Sequence, residues 1–141
     1  MKTDKVPVRS EVPAKDKWDL TSLYMKESEW EDDLSLIPVL ADELLTYKGK
    51  LADNADTLRN SLDSYCRLQM IAETTGSYAF LLTAGDEEDS SNQDKYGRYV
   101  MAATAAETKT SFYIPEIQSI PALRRTIYSI DISCMLSLSG L

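Results

Sequence analysis

The spacing of apolar residues after Glu29 is the feature that most constrains the fold. Apolar side chains recur there at alternating steps of four and three, which is the spacing of one buried face of an α-helix. The positions are Trp30, Leu34, Ile37, Ala41, Leu44 and Tyr47. Ser28 is a suitable N-cap and Gly49 a suitable helix stop, so we predict a first helix over residues 28–48.

Two further stretches repeat the helical spacing. The second helix is predicted over residues 55–84, and it contains Gly76, which weakens a helix without necessarily ending it. The third is predicted over residues 91–113, with Ser91 as its N-cap. One face of the third helix is rich in small residues, which allow a neighbouring helix to approach closely. These residues are Ala102, Ala103 and Ala106.

Two prolines are expected to limit these helices. Pro38 removes a backbone donor inside the first helix and clashes with the carbonyl of Leu34, so a kink or a break is expected there. Pro115 pushes Ile114 out of the helical region, which disfavours further helix after the third one.

These patterns predict an all-α fold, an antiparallel bundle or hairpin of about three main helices. An extended arm is expected over residues 1–17, the helical domain over 18–121 and an irregular tail over 122–141. Cys66 is predicted to be a small core residue, and the tyrosines are expected to pack with their hydroxyls at wet edges. The predicted core consists of Trp18, Trp30, Leu34, Leu44, Leu58, Leu62 and Tyr99.

Charge and hydropathy bear on the partners of the chain. The net charge is -8 and the basic residues are scattered, so no nucleic-acid partner is expected. No run of about 20 apolar residues and no signal-peptide core is present, so we expect no membrane partner and a cytoplasmic location. Cys66 and Cys134 are far apart in a chain of this kind, and both are predicted to be reduced thiols.

The residue types leave little room for catalysis by this chain alone. It contains no histidine, which excludes the commonest Ser–His and Cys–His arrangements. Two distant cysteines do not form a recognisable zinc ligand set, and the acidic run over residues 86–89 lacks the spacing of a calcium loop. We therefore predict no catalytic, cofactor-binding or metal-binding residue, and no cofactor, in this chain.

Four stretches nevertheless resemble one known family when they are taken in order. They are RSEVPAKDKWDLTSLY at 9–24, WEDDLSLIPVLADELLTYKGKLADNADTL at 30–58, the long helix at 58–82 with its exit YAFLLTAGDEEDSSNQDKY, and AAETKTSFYIPEIQSIP at 105–121. Their order and spacing are similar to the N-terminal helical region of the oligoendopeptidase F family of zinc metallopeptidases. The resemblance covers residues 9–121.

The resemblance implies a non-catalytic part of a peptidase. In the family this region precedes the catalytic domain and helps to wall a cavity that admits only short, unfolded peptides. The zinc-binding HExxH motif lies far beyond it, so no zinc ligand or catalytic glutamate transfers to a residue of this chain, which is expected to be inactive alone. Peptides are then partners only within a full-length enzyme.

Two interpretations of the chain stay open at this stage. Residues 122–141 do not resemble the family, which indicates a truncated or frame-shifted reading frame or a deliberately shortened chain. The alternative to a peptidase segment is a free-standing helical protein-interaction module without enzymatic activity. A homodimer is also expected, through the face of Ala102, Ala103 and Ala106 and through the apolar segment Ile127–Leu141.

Overall fold

A computed structural model describes residues 11–121, which are mainly helical. The four α-helices are α1 (Glu27–Leu45), α2 (Ala55–Gly85), α3 (Ser90–Thr110) and α4 (Tyr113–Ser119), preceded by a short 3₁₀ turn at Ala14–Asp16. No strand occurs in this part of the chain, and the predicted all-α fold is confirmed. The predicted tail over 122–141, with Cys134, lies outside the described residues, as does the first part of the predicted arm.

Contacts between α1 and α2 show that these helices run antiparallel. Near the start of α1, the indole Nε1 of Trp30 donates to the carbonyl of Thr75 late in α2, at 3.0 Å. Near the end of α1, Glu43 accepts a hydrogen bond from the hydroxyl of Ser64 early in α2, at 2.7 Å. The start of one helix therefore lies beside the end of the other.

The third helix completes an up-down-up bundle. The hydroxyl of Thr83 at the end of α2 donates to the carbonyl of Asn92 at the start of α3, so α2 and α3 are also antiparallel. Ion pairs join α1 to α3 at a nearly constant sequence offset, which shows that these two helices run parallel. The pairs are Glu27–Lys95, Glu31–Arg98 and Asp42–Lys109.

The core forms where the three long helices meet. Among the residues predicted to build it, Trp30, Leu34, Leu44 and Leu58 are buried. Leu62 and Tyr99 are half-buried and pack against the core. Further buried apolar residues come from every helix, from the connection between α1 and α2, and from the residues just before α1 and just after α4: Tyr24, Ile37, Leu40, Ala41, Leu51, Leu68, Ala79, Ala106, Tyr113, Ile117 and Ile120.

The prediction that Trp18 belongs to the core is wrong, because 56% of this residue is exposed. The segment before α1 docks through Tyr24 instead, which is only 7% exposed. The backbone N–H groups of Leu23 and Tyr24 both donate to the carbonyl of Leu20, which closes a turn. That turn carries the tyrosine into the bundle and leaves the preceding tryptophan outside.

Neither proline has the predicted effect on helix ends. α1 is continuous through Pro38, which lies on its exposed face, so the break does not occur and only the kink stays a prediction. Buried residues on both sides of the proline hold α1 against the bundle and offset the lost hydrogen bond. Pro115 is the third residue of α4, and in the first turn of a helix the missing N–H would have no intrahelical partner. The expectation of no helix there is wrong.

Two predicted N-caps are also wrong. Ser28 lies inside α1, whose N-cap is Lys26, and the carboxylate of Glu29 accepts the backbone N–H of Lys26 at 3.2 Å. Ser91 lies inside α3, where the side chain of Asp89 accepts the backbone N–H of Ser91 at 2.8 Å. In both cases the helix begins earlier than expected, and an acidic side chain accepts a backbone N–H group at its start.

The connection between α1 and α2 is held by α4. Gly49 has a positive φ of 77°, a backbone conformation that favours glycine, and it lies in the turns that follow the end of α1. The two carboxylate oxygens of Glu116 accept the backbone N–H groups of Gly49 and Leu51 at 2.9 and 3.1 Å. α4 therefore caps one end of the bundle.

Candidate functional site

A concave surface feature, a groove, lies between α2 and α3. Its volume is about 330 Å³. α2 contributes Leu68, Ala72 and Glu73 to its walls, and α3 contributes Tyr99, Ala103 and Glu107. We call this feature the α2–α3 groove.

The groove follows from the sizes of the side chains on the two helices. A Cβ atom placed on Gly76 would lie 2.3 Å from Cζ of Tyr99, so the phenol ring rests directly on the α2 backbone. Nearby, Ala72 and Ala103 are too short to fill the space between the helices. The small-residue face of α3 thus leaves a gap beside α2 where we predicted a close approach, and the close contact between the two helices is made by Tyr99 on Gly76.

The charge of the groove is negative. Burial, and then the negative charge of Glu107 and other nearby groups including Glu73, raise the pKa of Tyr99 above its ordinary value. No residue in the described part of the chain forms a salt bridge with either carboxylate. The groove therefore combines an apolar floor with two carboxylates that have no cationic partner within residues 11–121.

An aromatic strip extends the groove at the end where Tyr99 lies. We define it as Phe80, Tyr96 and Tyr99, with ring centroids 6.1 Å apart for the first pair and 6.3 Å for the second. Phe80 is 55% exposed and Tyr96 is 37% exposed. Exposed aromatic rings in a row next to a groove are typical of a surface that contacts another molecule or another part of a larger protein.

Two tyrosine hydroxyls are buried in polar contacts, which corrects the expectation of wet edges for them. The hydroxyl of Tyr24 donates to Asp33 at 2.8 Å and lies 3.1 Å from the hydroxyl of Thr75. The hydroxyl of Tyr113 lies 3.0 Å from that of Ser61. Burial is the main cause that raises the pKa of Tyr24 to about 12, and it raises the pKa of Tyr113 as well. Both groups serve the packing of the bundle.

The remaining candidates from the sequence do not form a site. Cys66 is exposed, so the prediction that it is a core residue is wrong. Within residues 11–121, no three Cys, Asp or Glu side chains are grouped closely enough to hold a metal ion. In the same range, no helix is both long and apolar enough to cross a membrane.

The groove residues escaped the sequence analysis because they come from two helices. Glu73 and Glu107 are far apart in sequence, and each is one of many acidic residues in an acidic chain. Tyr99 was predicted as core; it packs against the core and also lines the groove. The signal that was present is the run of alanines on α3, which indicated a close approach and not a gap.

The fold and the groove define a class of protein: an all-helical segment that presents a preformed acidic and apolar surface. Three curated relatives are similar to it. Oligopeptidase PepF of Bacillus subtilis is 34% identical over 123 residues, which are 84% of this chain and 18% of the relative. An oligoendopeptidase F homolog of Borreliella burgdorferi is 29% identical over 77% of this chain and 18% of the relative. The plasmid-encoded oligoendopeptidase F of Lactococcus lactis subsp. cremoris is 32% identical over 79% of this chain and 19% of the relative.

These comparisons confirm the resemblance found in the sequence. The match covers about four fifths of this chain and is consistent with an N-terminal fragment of the oligoendopeptidase F family. The chain spans about a fifth of the length of the curated relatives that it matches. No family model and no solved structure matches it.

Proposed function

We propose that this chain is the N-terminal helical part of a zinc-dependent oligopeptidase and that its α2–α3 face walls a cavity in which short peptides bind. The observation that carries the proposal is the match to relatives named oligopeptidase or oligoendopeptidase, each about five times as long as the matched segment. Its contribution is shape and steric exclusion. A cytoplasmic location stays a prediction.

The described residues do not fit a zinc site. The chain has no histidine, and residues 11–121 contain no group of carboxylates and thiols suited to a metal ion. Under this proposal the zinc ligands and the catalytic glutamate come from the remainder of a longer protein. The chain by itself is expected not to hydrolyse peptides.

The dimensions of the bundle suit a wall. α2 has 31 residues, and at about 1.5 Å per residue it is about 46 Å long. Ion pairs between α1 and α3 and the buried indole of Trp30 hold the other two helices along it. A helix of this length is long enough to lie alongside a short extended peptide.

A chimaera tests the proposal. Residues 9–121 of this chain replace the matching segment of the Bacillus subtilis oligopeptidase, and hydrolysis of a short fluorogenic peptide is measured. We expect the chimaera to cleave the peptide, and we expect Ala103→Trp, which fills the groove, to raise KM more than it lowers kcat.

A chimaera that is helical by circular dichroism and binds zinc but cleaves no peptide would contradict the proposal. That result would favour the alternative, a free-standing helical interaction module. Asn60→Trp places the same large side chain at an exposed position of α2 that does not line the groove, and it serves as the control.

A further inference from the structure

We propose that the α2–α3 groove binds the cationic and apolar portion of a short peptide. An apolar side chain of the ligand rests on the alanine floor, and an adjacent Lys or Arg lies between Glu73 and Glu107. This inference rests on the proposed function and names the class of peptide that the wall recognises.

The floor of the groove suits one apolar side chain. Leu68 and Ala106 form its base and are 2% and 5% exposed, so the base is already packed and does not need to rearrange. Ala72 and Ala103 leave the space above the base open. A volume of about 330 Å³ is at the small end of ligand pockets, which fits a side chain with its neighbours and not a whole folded domain.

The two carboxylates supply the charge selectivity. Glu73 lies on α2 and Glu107 on α3, so they line the groove from its two sides. Like charges across an apolar groove repel each other, and a cation between them is attracted by both. The influence of both carboxylates on the pKa of Tyr99 places them near the phenol that closes the groove.

No basic residue of α3 forms an ion pair with Glu73 or Glu107. Its three basic residues form ion pairs with carboxylates of α1: Lys95, Arg98 and Lys109. Glu27, Glu31 and Asp42 of α1 thus have basic partners in the described residues, while the two carboxylates of the groove have none there. A second copy of the chain is a poor occupant, since it has a net charge of -8 and would bring the same two carboxylates.

Peptide titrations of the full chain, labelled with ¹⁵N, test the assignment. The probe is the pentapeptide acetyl-Lys-Phe-Arg-Leu-Lys-amide at low salt, and the matched control replaces its three basic residues with glutamate. We expect the basic peptide to shift the amide signals of Leu68, Ala72, Tyr99 and Ala103. We expect the acidic peptide to bind at least about tenfold more weakly.

Variants with neutralised carboxylates distinguish the contribution of the groove to peptide binding from that of the net charge of the chain. Glu73→Gln with Glu107→Gln is expected to weaken the basic peptide about tenfold. Asp63→Asn with Glu88→Gln removes the same net charge from exposed positions that do not line the groove, and it is expected to change the affinity less than twofold. In the sequence, Arg124 and Arg125 are followed closely by apolar residues, so this segment of the chain has the same chemistry as the peptide. Every titration is therefore repeated with both arginines changed to glutamine, which removes this competitor for the groove.

Three results would overturn the inference: equal affinity for the basic and acidic peptides, equal effects of the two double variants, or amide shifts confined to other surfaces. Peptide-induced dimers detected by sedimentation would also contradict a one-to-one groove. An active chimaera without selective peptide binding rejects the ligand assignment alone. Selective binding with an inactive chimaera rejects the wall function alone.

Discussion

At the scale of single residues, Gly76 and Tyr99 determine how α2 and α3 meet. Gly76 is buried, and a Cβ atom there would overlap the phenol ring of Tyr99. Glycine inside a helix costs about 1 kcal/mol relative to alanine, and here it makes room for the ring that closes one end of the groove. The two residues should therefore be coupled in stability.

A double-mutant cycle measures this coupling. We expect Gly76→Ala to raise the free energy of unfolding by about 1 kcal/mol in a Tyr99→Ala background. In the wild-type background we expect no gain, because the ring must move and overpacking costs about 1–3 kcal/mol. Urea unfolding followed by circular dichroism gives both values.

Gly97→Ala is the matched control for that cycle. Gly97 lies on the exposed face of α3, and a Cβ atom there meets nothing within 4 Å. Alanine at this position should stabilise both backgrounds by the same amount, about 1 kcal/mol. If Gly76→Ala behaves as Gly97→Ala does, the ring does not constrain the helix.

Because of Tyr24, the stability of the bundle should depend on pH in the alkaline range. The pKa of its buried phenol is raised to about 12, against about 10 in the unfolded chain. Below pH 10 the phenol is protonated in both states and its contribution is fully present. Between pH 10 and 12 the unfolded state loses its proton first, so up to about 3 kcal/mol of stability is lost as the pH rises.

The phenylalanine variant checks this pH dependence. Tyr24→Phe should be less stable near pH 8, because Asp33 and Thr75 lose a partner, and it should lose less stability than the wild type between pH 9 and 11. Tyr96→Phe, which removes a phenol in the exposed aromatic strip, serves as the comparison. Equal slopes for Tyr24→Phe and the wild type in urea unfolding would disprove the assignment.

At the scale of elements, the short helix α4 shows how tertiary contacts override local preference. The sequence predicted no helix around Ile114-Pro115, yet α4 forms there and buries Tyr113 and Ile117 completely or nearly so. Tyr113 stacks on Tyr65 of α2 at a centroid distance of 4.7 Å. The burial of these side chains offsets the poor local helix propensity.

Among the residues of α4, Glu116 should contribute most to the stability of the α1–α2 connection. Its carboxylate accepts two backbone N–H groups of that connection, and charge-assisted hydrogen bonds of this kind are worth about 1.5–3 kcal/mol each when they are buried. Because these contacts are partly exposed, we expect Glu116→Ala to lower the free energy of unfolding by about 1–2 kcal/mol in total. Amide hydrogen exchange of Gly49 and Leu51 should accelerate in the same variant.

Gln118→Ala gives the control for Glu116. Gln118 lies on the exposed face of the same short helix, and its replacement should change stability by less than about 0.5 kcal/mol. Unchanged exchange at Gly49 and Leu51 in Glu116→Ala would mean that α4 does not hold the connection.

At the scale of the whole molecule, charge controls how copies of the chain meet. The predicted homodimer uses the face of Ala102, Ala103 and Ala106, and Ala106 is already buried at the base of the groove. The second predicted contact, Ile127–Leu141, lies outside the described residues. Two copies that meet through the groove would bring Glu73 and Glu107 of each copy together. The homodimer stays a prediction, and it should depend on salt.

Sedimentation at different salt concentrations tests this dimer. The screening length falls from about 10 Å at 0.1 M salt to about 3 Å at 1 M, so repulsion between the grooves weakens as salt is added. We expect monomers at low salt and an increasing share of dimers toward 1 M, with Glu73→Gln plus Glu107→Gln dimerising at lower salt. Monomers in every condition at micromolar concentration would show that the homodimer prediction is wrong.

The sequence by itself determined the helical content, the three long helices to within a few residues and the family. Apolar residues at steps of three and four specify one buried face whatever the neighbours are, and Trp30, Leu34 and Leu44 lie where that spacing places them. The exposed position of Trp18, the continuity of α1 through Pro38 and the existence of α4 were decided by tertiary packing, because burial across helices outweighs local preference. The groove was also decided by tertiary packing. Its walls come from residues of α2 and α3, and the distance between these walls depends on how closely Tyr99 rests on Gly76. No local sequence pattern encodes that contact, because the two residues lie on different helices.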